Sequence, residues 1–555
     1  MQKSSVMAKK RLGAYYTPMN VVQFLLHSSL QQQINSIAQK VKEAVKKKDH
    51  LSTSNAISHL SEIKVLDPSC GDGIFLVEAL KLIEEGYEKI KLICQEGDLR
   101  LHDLDEQAYQ ILLTAITPRI ALDNLYGVDI DATAVKNTIE RLQSYLVSGK
   151  PANCYHGIRN PLENFKCALG LNIKVGNALK VPPLNWNAES KEAKEWTEDL
   201  SLYREKIRKK INLDIQQGDS CFNEAFLKNR IAKLCSSVLN KSRLVLEQML
   251  LERPETCLRD LDDLFIWELN FPEVFIRKNQ GFDIICGNPP YINLETIRNS
   301  PLNHFLRTSS RWRDLYRGKG DIQYHFLMLA IQLLREKGHL AMITSRYWPE
   351  NKNADILRKQ LINQARVLRL LDLGASVLFD AGIHNLLLIL QKSCSESHYA
   401  FKFARLEELN LPILEFLIRE NKINWEKLLA QEVFSRDGGA WRLLSGEVSS
   451  LVARIESILK EGEHHGFRLD ELTHIGEGIK TGNDTVFASF EYVGAGYYRN
   501  RFDEEVQMYK FEKGLMRPVI TSSKEIIPFH IAPSESYLLC THKIGKRINQ
   551  YPNAK

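Results

Sequence analysis

The sequence predicts an α/β protein built on a doubly wound, mostly parallel sheet. Three observations carry that expectation. Short apolar runs of strand length end in glycine- or acid-bearing turns. Helical patterns follow those turns, as in successive strand–turn–helix units. The apolar share, 44%, is ordinary for a chain that buries a proper core. Helical insertions interrupt the sheet pattern, and the C-terminal part shifts to an α+β character. At 555 residues there is room for several domains. The pattern divides into an N-terminal helical segment at 1–50, a core domain at 51–400 with a charged helical insertion at about 186–260, a connector at 401–465 and a partial C-terminal domain at 466–555.

In chain order, residues 19–48 read as an amphipathic helix ending in lysines. The first strand, Ile63 to Leu66, runs into Asp67-Pro68-Ser69-Cys70-Gly71-Asp72-Gly73, and a helical run opens at Ile74. Glycines in that turn let a ligand approach the backbone closely. The turn lacks the third glycine of a dinucleotide fingerprint and the Lys-Ser/Thr of a phosphate loop. An acid at the strand end, Asp67, also argues against a phosphate. A neutral or cationic ligand fits better, and S-adenosylmethionine, with its sulfonium and amino group, is one. The second strand, Leu125 to Val128, ends in Asp129-Ile130-Asp131. Asp129 is placed to accept ribose hydroxyls, and Asp131 to cap the next helix. The stretch 92–122 then reads as an extra helical element. A third strand, Leu171 to Val175, ends near Asn177, which reads either as a contact to an adenine edge or as an ordinary turn asparagine.

The most specific signal is Asn288-Pro289-Pro290-Tyr291, which closes the apolar run Phe282 to Gly287. Two prolines stiffen the loop and remove two N–H donors. What remains is rich in acceptors and is followed at once by an aromatic ring. That combination suits a flat ring carrying an amino group. A proline-stiffened turn is the plainer alternative. Beyond it, a helix near Ile322–Glu336 and strands at Leu340–Thr344, Val367–Leu373 and Ile383–Gln391 complete the core, and residues 400–463 look connective with a short helix at Pro412–Glu420. From His474 on, glycines alternate with Tyr497, Tyr498, Arg499, Arg501, Lys510, Lys513 and Arg517.

Composition adds loose bounds. The net charge of +6 permits a polyanionic partner without demanding one. Ten scattered cysteines with no CxxC spacing suggest reduced thiols and no zinc site. No apolar stretch is long enough for a bilayer span, so a cytoplasmic location with no membrane partner is expected.

Taken in order, these motifs resemble the gamma-type N6-adenine DNA methyltransferases of restriction–modification and phage-defence systems. The resemblance rests on Gly13-Ala14-Tyr15-Tyr16-Thr17-Pro18, the Asp67–Phe75 loop, Gly127-Val128-Asp129-Ile130-Asp131, the stretch Trp267 to Phe275 and the Asn288–Tyr291 loop. It covers roughly residues 11–400 well and 466–530 more loosely. It implies a methyltransferase sheet that binds S-adenosyl-L-methionine, a catalytic loop of Asn288, Pro289, Pro290 and Tyr291, and a C-terminal domain that recognises double-stranded DNA. Tyr16, Thr17 and Pro18 would line the methionine end of the cofactor. Asp67, Gly71 and Gly73 would surround its amino acid part, Asp129 its ribose and Asn177 its adenine, although many relatives carry an aspartate at that last position. Asp321 matches an acidic position near the catalytic loop. Phe379 falls where the family packs against the flipped base, with core packing as the other reading. No metal is implied. A separate restriction or defence subunit is a conceivable partner. Protein glutamine methylation and a non-catalytic DNA-binding role are the competing readings. A complete recognition domain of this type is longer, so a truncated chain is expected. No nuclease motif convinces, so no cleavage is expected from this chain.

Overall fold

The computed structural model describes residues 17–99, 103–113, 116–148, 169–181, 264–374, 384–393, 398–406 and 422–444, isolated residues near 416–420 and 451–454, and strand segments between 490 and 539. Tyr16, Phe379, the insertion at 186–260 and the glycine-rich run at 474–483 lie outside the described residues. Two compact units divide the chain, 1–452 and 453–555.

In the first unit, β1 (Val65–Asp67), β2 (Leu125–Asp129), β3 (Ile173–Val175), β4 (Phe282–Gly287), β5 (Leu334–Ser345), β6 (Ala365–Asp372), β7 (Asn385–Lys392), β8 (Ala400–Arg405) and β9 (Glu426–Leu429) form one sheet in the order β3-β2-β1-β4-β5-β7-β6-β8-β9. The five strands from β3 to β5 are parallel, and β7 enters antiparallel between β5 and β6. The chain leaves β1 toward β2 and β3 on one side and returns to β4 and β5 on the other. This reversal is the doubly wound pattern, and it opens a crevice at the carboxyl ends of β1 and β4.

Both faces of the sheet are covered, which is why its central strands are nearly all apolar. Strand alternation sorts neighbours into two cores. Val65, Ile284, Cys286, Ala341 and Ile343 face one side with the helix Ile74–Glu96 and the N-terminal helices. Leu66, Ile285, Leu340, Met342 and Leu388 face the other, with the helix Gln323–Leu333 and the Phe265, Trp267, Phe271 and Phe282 ring cluster.

Two sequence expectations change, and one residue of the C-terminal run proves buried. The helix read over 19–48 is two helices, Met19–His27 and Leu30–Lys46. The break falls at Ser28-Ser29, where Ser29 Oγ donates to the Leu25 carbonyl at 2.7 Å and competes with the backbone ladder. The segment read as connective after residue 400 carries β8 and β9, which extend the sheet. Tyr498, singled out among the C-terminal aromatics, is buried. The described strands of the second unit form a five-stranded antiparallel sheet and a separate two-stranded one. There Arg499 pairs with Glu491 at 2.6 Å, and Lys510 lies over the Tyr497 ring at 5.5 Å.

Candidate active site

Four parallel strands deliver the site from their carboxyl ends. The decisive contact is between motifs that are far apart in sequence. β1 pairs with β4 through Val65–Ile284 and Leu66–Ile285, so Asp67 stands beside Gly287. A Cβ at Gly287 would lie 2.6 Å from Asp67 Oδ1. Only glycine admits this approach, and it sits immediately before Asn288. Gly287→Ala should therefore destabilise the fold by about 1–3 kcal/mol through overpacking. A denaturant titration checks this, and an unchanged midpoint would show that the carboxylate yields freely.

Asp67 is buried, at 1% exposure, and the backbone N–H of Ser69 donates to its Oδ1 at 3.0 Å. Burial raises its pKa to about 8, and the nearby carboxylates of Asp129 and Asp72 push the same way. A buried acid whose charged neighbours among the described residues are Asp129 and Asp72 favours a cation.

The glycine turn is held in place from two directions. Gly71 N–H donates to Asp129 Oδ2 at 2.9 Å, and Thr138 Oγ1 donates to the Gly71 carbonyl at 2.8 Å. A Cβ at Gly71 would meet none of the described residues within 4 Å. Gly73, at φ +80°, starts the following helix against Thr138. Asp129 also accepts from Asp131 N–H at 2.9 Å, and burial raises its pKa. Asp131 caps its helix as the sequence suggests, accepting from Thr133 N–H at 2.8 Å. Asn177 Oδ1 accepts from Leu179 N–H at 3.1 Å, so this side chain does form the turn contact of the plainer reading. Between the two acids, Ile130 is 64% exposed at the tip of β2. Sequence reasoning passed it over. The available signal was an apolar residue between two acids where solvent exposure is otherwise expected.

The Asn288–Tyr291 loop is equally well defined. Asn288 Nδ2 donates to Thr17 Oγ1 at 3.2 Å, which brings the N-terminal element to the loop, and the Pro18 carbonyl accepts from Val21 and Val22 N–H in the first turn of the helix that follows. Tyr291 Oη donates to Asn288 Oδ1 at 2.8 Å, and Asn385 Nδ2 donates to Tyr291 Oη at 3.3 Å. The amide of Asn288 is thus oriented by a donor on one side and an acceptor on the other. Pro289 is buried, while Asn288, Pro290 and Tyr291 are partly exposed. Asp321 holds the far end of the loop. Its Oδ1 accepts from Ile292 N–H at 3.3 Å and Gln323 N–H at 3.0 Å, and burial raises its pKa to about 6.

The geometry joins Thr17, Asn288, Tyr291 and Asp321 in one group of contacts and Asp67, Gly71, Asp129 and Asn177 in another, and the two meet where Asp67 stands beside Gly287. Comparison with known proteins bears on what that site serves. Residues 123–379 match the Eco57I restriction-modification methylase family. The chain is 24% identical over 473 residues to the Methanocaldococcus jannaschii protein named as type II restriction enzyme and methyltransferase RM.MjaORFECS2P, covering 71% of this chain and 37% of that one. It is 22% identical over 504 residues to the type II restriction enzyme and methyltransferase RM.Eco57I of Escherichia coli, covering 87% and 39%. It is also 22% identical over 329 residues to the adenine-specific methyltransferase BrxX of Escherichia coli O9:H4 (strain HS), covering 56% and 24%. The chain spans less than two-fifths of the length of these curated relatives. No helix among the described residues is long and apolar enough to cross a membrane.

Proposed function

We propose that this chain transfers a methyl group from S-adenosylmethionine to N6 of an adenine swung out of double-stranded DNA, within a restriction–modification or related defence system. One observation carries the reading. The pairing of β1 with β4 sets a proline-locked acceptor loop directly beside a buried carboxylate that favours a cation. The family match of residues 123–379 and the printed names of the relatives support it.

The residues fit the cofactor. Asp67 suits the positive charge of its methionine part, with Gly71 and Gly73 giving the backbone room to approach. Tyr16, Thr17 and Pro18 line that same end in this reading. Asp129 keeps acceptor lone pairs for ribose hydroxyls, since each carboxylate oxygen has more than one. Asn177 retains its amide N–H groups for an adenine edge, and exposed Ile130 offers an apolar surface to the same ring. When bound, S-adenosylmethionine supplies a methyl group on a positively charged sulfur, and its transfer to N6 leaves a thioether and one proton for water.

The chain's own task is to make N6 nucleophilic. The lone pair of an aromatic amine is drawn into the ring. Asn288 Oδ1 and the Pro289 carbonyl accept its two N–H groups, favour a more tetrahedral nitrogen and stabilise the charge that develops on it. Pro289 and Pro290 keep those acceptors from relaxing. Tyr291 stacks on the base and fixes its face, so that positioning supplies much of the acceleration. Phe379 is proposed to pack against the same base. Asp321 keeps the loop closed. Swinging the adenine out of the duplex costs a few kcal/mol, which stacking in the pocket offsets.

The test is to incubate the chain with methyl-labelled cofactor and unmethylated duplex DNA, then digest to nucleosides. Label is expected in N6-methyladenine. Label confined to protein would favour glutamine methylation, and tight DNA binding without transfer would favour a non-catalytic role. Either result overturns the proposal.

A further inference from the structure

A depression of about 560 Å³ is lined by Arg346, Tyr347, Glu350, Asn351 and His384, at the same end of β5 and β7 as the Asn385 contact to Tyr291. Arg346, Tyr347, Glu350 and Asn351 lie outside the motifs that carry the proposed methyl transfer, and His384 closes the stretch Val377–His384 that holds Phe379. Their position is nonetheless set by the same strands. Arg346 and Tyr347 follow the last residue of β5, and His384 precedes the first residue of β7. Arg346 N–H donates to the His384 carbonyl at 3.0 Å, which prolongs the β5–β7 ladder by one pair. Asn385, next to His384, is the residue that reaches Tyr291 Oη at 3.3 Å. The depression therefore begins one residue beyond the network that holds the catalytic loop.

Its lining has the chemistry of a nucleotide site. Tyr347 presents a large ring at 54% exposure, with the His384 ring edge-on to it at 6.0 Å and 72°. Exposed aromatic rings offer a stacking face to any base. His384 Nδ1 is buried and has no hydrogen-bond partner among the described residues. Arg346 supplies a cation, held by Asp372 at 3.4 Å. The volume falls in the range of small-ligand sites.

The loop that carries Tyr347 is also rigid, which an ordinary surface loop is not. Arg358 is buried beneath it at 2% exposure and donates to the carbonyls of Trp348, Asn351, Gly438 and Gly439 at 2.7–2.9 Å. Trp348 is fully buried and packs edge-on against Trp441 at 4.7 Å. A buried guanidinium and a buried indole hold the backbone, while the neighbouring tyrosine ring is left outside. Such an arrangement displays a ring at low entropic cost on binding.

We infer that this depression receives a nucleotide of the DNA neighbouring the flipped adenine, its base stacked on Tyr347. The inference rests on the proposed DNA methylation, and it adds a contact that tells DNA-bound from free enzyme without touching the reacting atoms. The discriminating variants are Tyr347→Ala and Tyr347→Phe in the full chain, assayed with unmethylated genomic duplex DNA. Tyr347→Ala is expected to raise KM for DNA about ten- to hundredfold, the usual loss for a removed stacking face. The rate at saturating DNA and the affinity for S-adenosylmethionine stay within a few-fold of wild type, and Tyr347→Phe restores KM. A KM within twofold of wild type in Tyr347→Ala overturns the inference, as does an equal loss in Tyr347→Phe, which would implicate the hydroxyl and not the ring face. Wild-type protein that moves no methyl group into DNA overturns the underlying reading as well. Normal wild-type transfer with an indifferent alanine variant removes only the Tyr347 contact.

Discussion

Asn288→Ala is expected to slow methyl transfer about 100- to 1000-fold, the cost of removing one preorganised hydrogen-bond partner from a developing charge. The structure says why so short a side chain matters so much. Asn288 Oδ1 has two lone pairs. Tyr291 Oη takes one at 2.8 Å, and the other is free for an amine. Thr17 Oγ1 accepts from the amide nitrogen at 3.2 Å, which keeps the oxygen from rotating away. The acceptor is thus oriented before any substrate arrives and needs no reorganisation during the reaction. Affinity for S-adenosylmethionine should stay within a few-fold, because Asp67, Gly71 and Asp129 hang on β1, its following turn and β2 and not on the loop. Single-turnover rates at saturating DNA and cofactor are the right measurement, since they separate chemistry from binding. A rate within threefold of wild type would mean that another group accepts the amine. Tyr291→Phe is a useful companion. It frees the second lone pair of Asn288 while keeping the stacking face, so its effect should be much smaller.

These contacts show where sequence reasoning reached and where it stopped. β1, β2 and β4 were legible because buried parallel strands are short, unbroken apolar runs, and each is followed by a turn residue that cannot be replaced lightly. Asp67 and Asn288 were legible as candidate site residues for the same reason. Their adjacency was not. It depends on β1 pairing with β4 across more than two hundred intervening residues, and no local pattern encodes that register. Full burial of Asp67 follows from the pairing and was equally invisible. β8 was missed although Ala400-Phe401-Lys402-Phe403 alternates with a period of two, because its charged positions look like surface. β9 is only four residues long and falls below what periodicity can resolve. The hydrogen bonds from Asn385 to Tyr291 and from Asn288 to Thr17 join three segments through polar tips, and side chains of that kind leave no periodic trace.

Binding of S-adenosylmethionine is expected to tighten as pH rises toward 8, with release of a proton. Asp67 has a folded-state pKa of about 8 against an ordinary 3.8, with burial as the main cause. The sign follows from where the proton sits. Between those two values the folded protein keeps a proton that the unfolded chain has lost. The stability this confers is complete below the unfolded value and is lost as pH climbs through about 8. A cofactor cation bound beside Asp67 favours the ionised carboxylate. Below pH 8, binding must therefore expel the proton, and the dissociation constant should fall by up to about tenfold per pH unit. Calorimetry at pH 7 in two buffers of different ionisation enthalpy counts the protons released. Asp67→Asn removes the titrating group while keeping its shape, so its affinity should be weaker and nearly flat between pH 6 and 8. Its unfolding midpoint without ligand should also lose the part of the wild-type pH dependence that runs through about pH 8. A wild-type affinity that is flat over this range, or an asparagine variant with the same slope, would place the cofactor's charge away from β1 and remove the cation-binding role from Asp67.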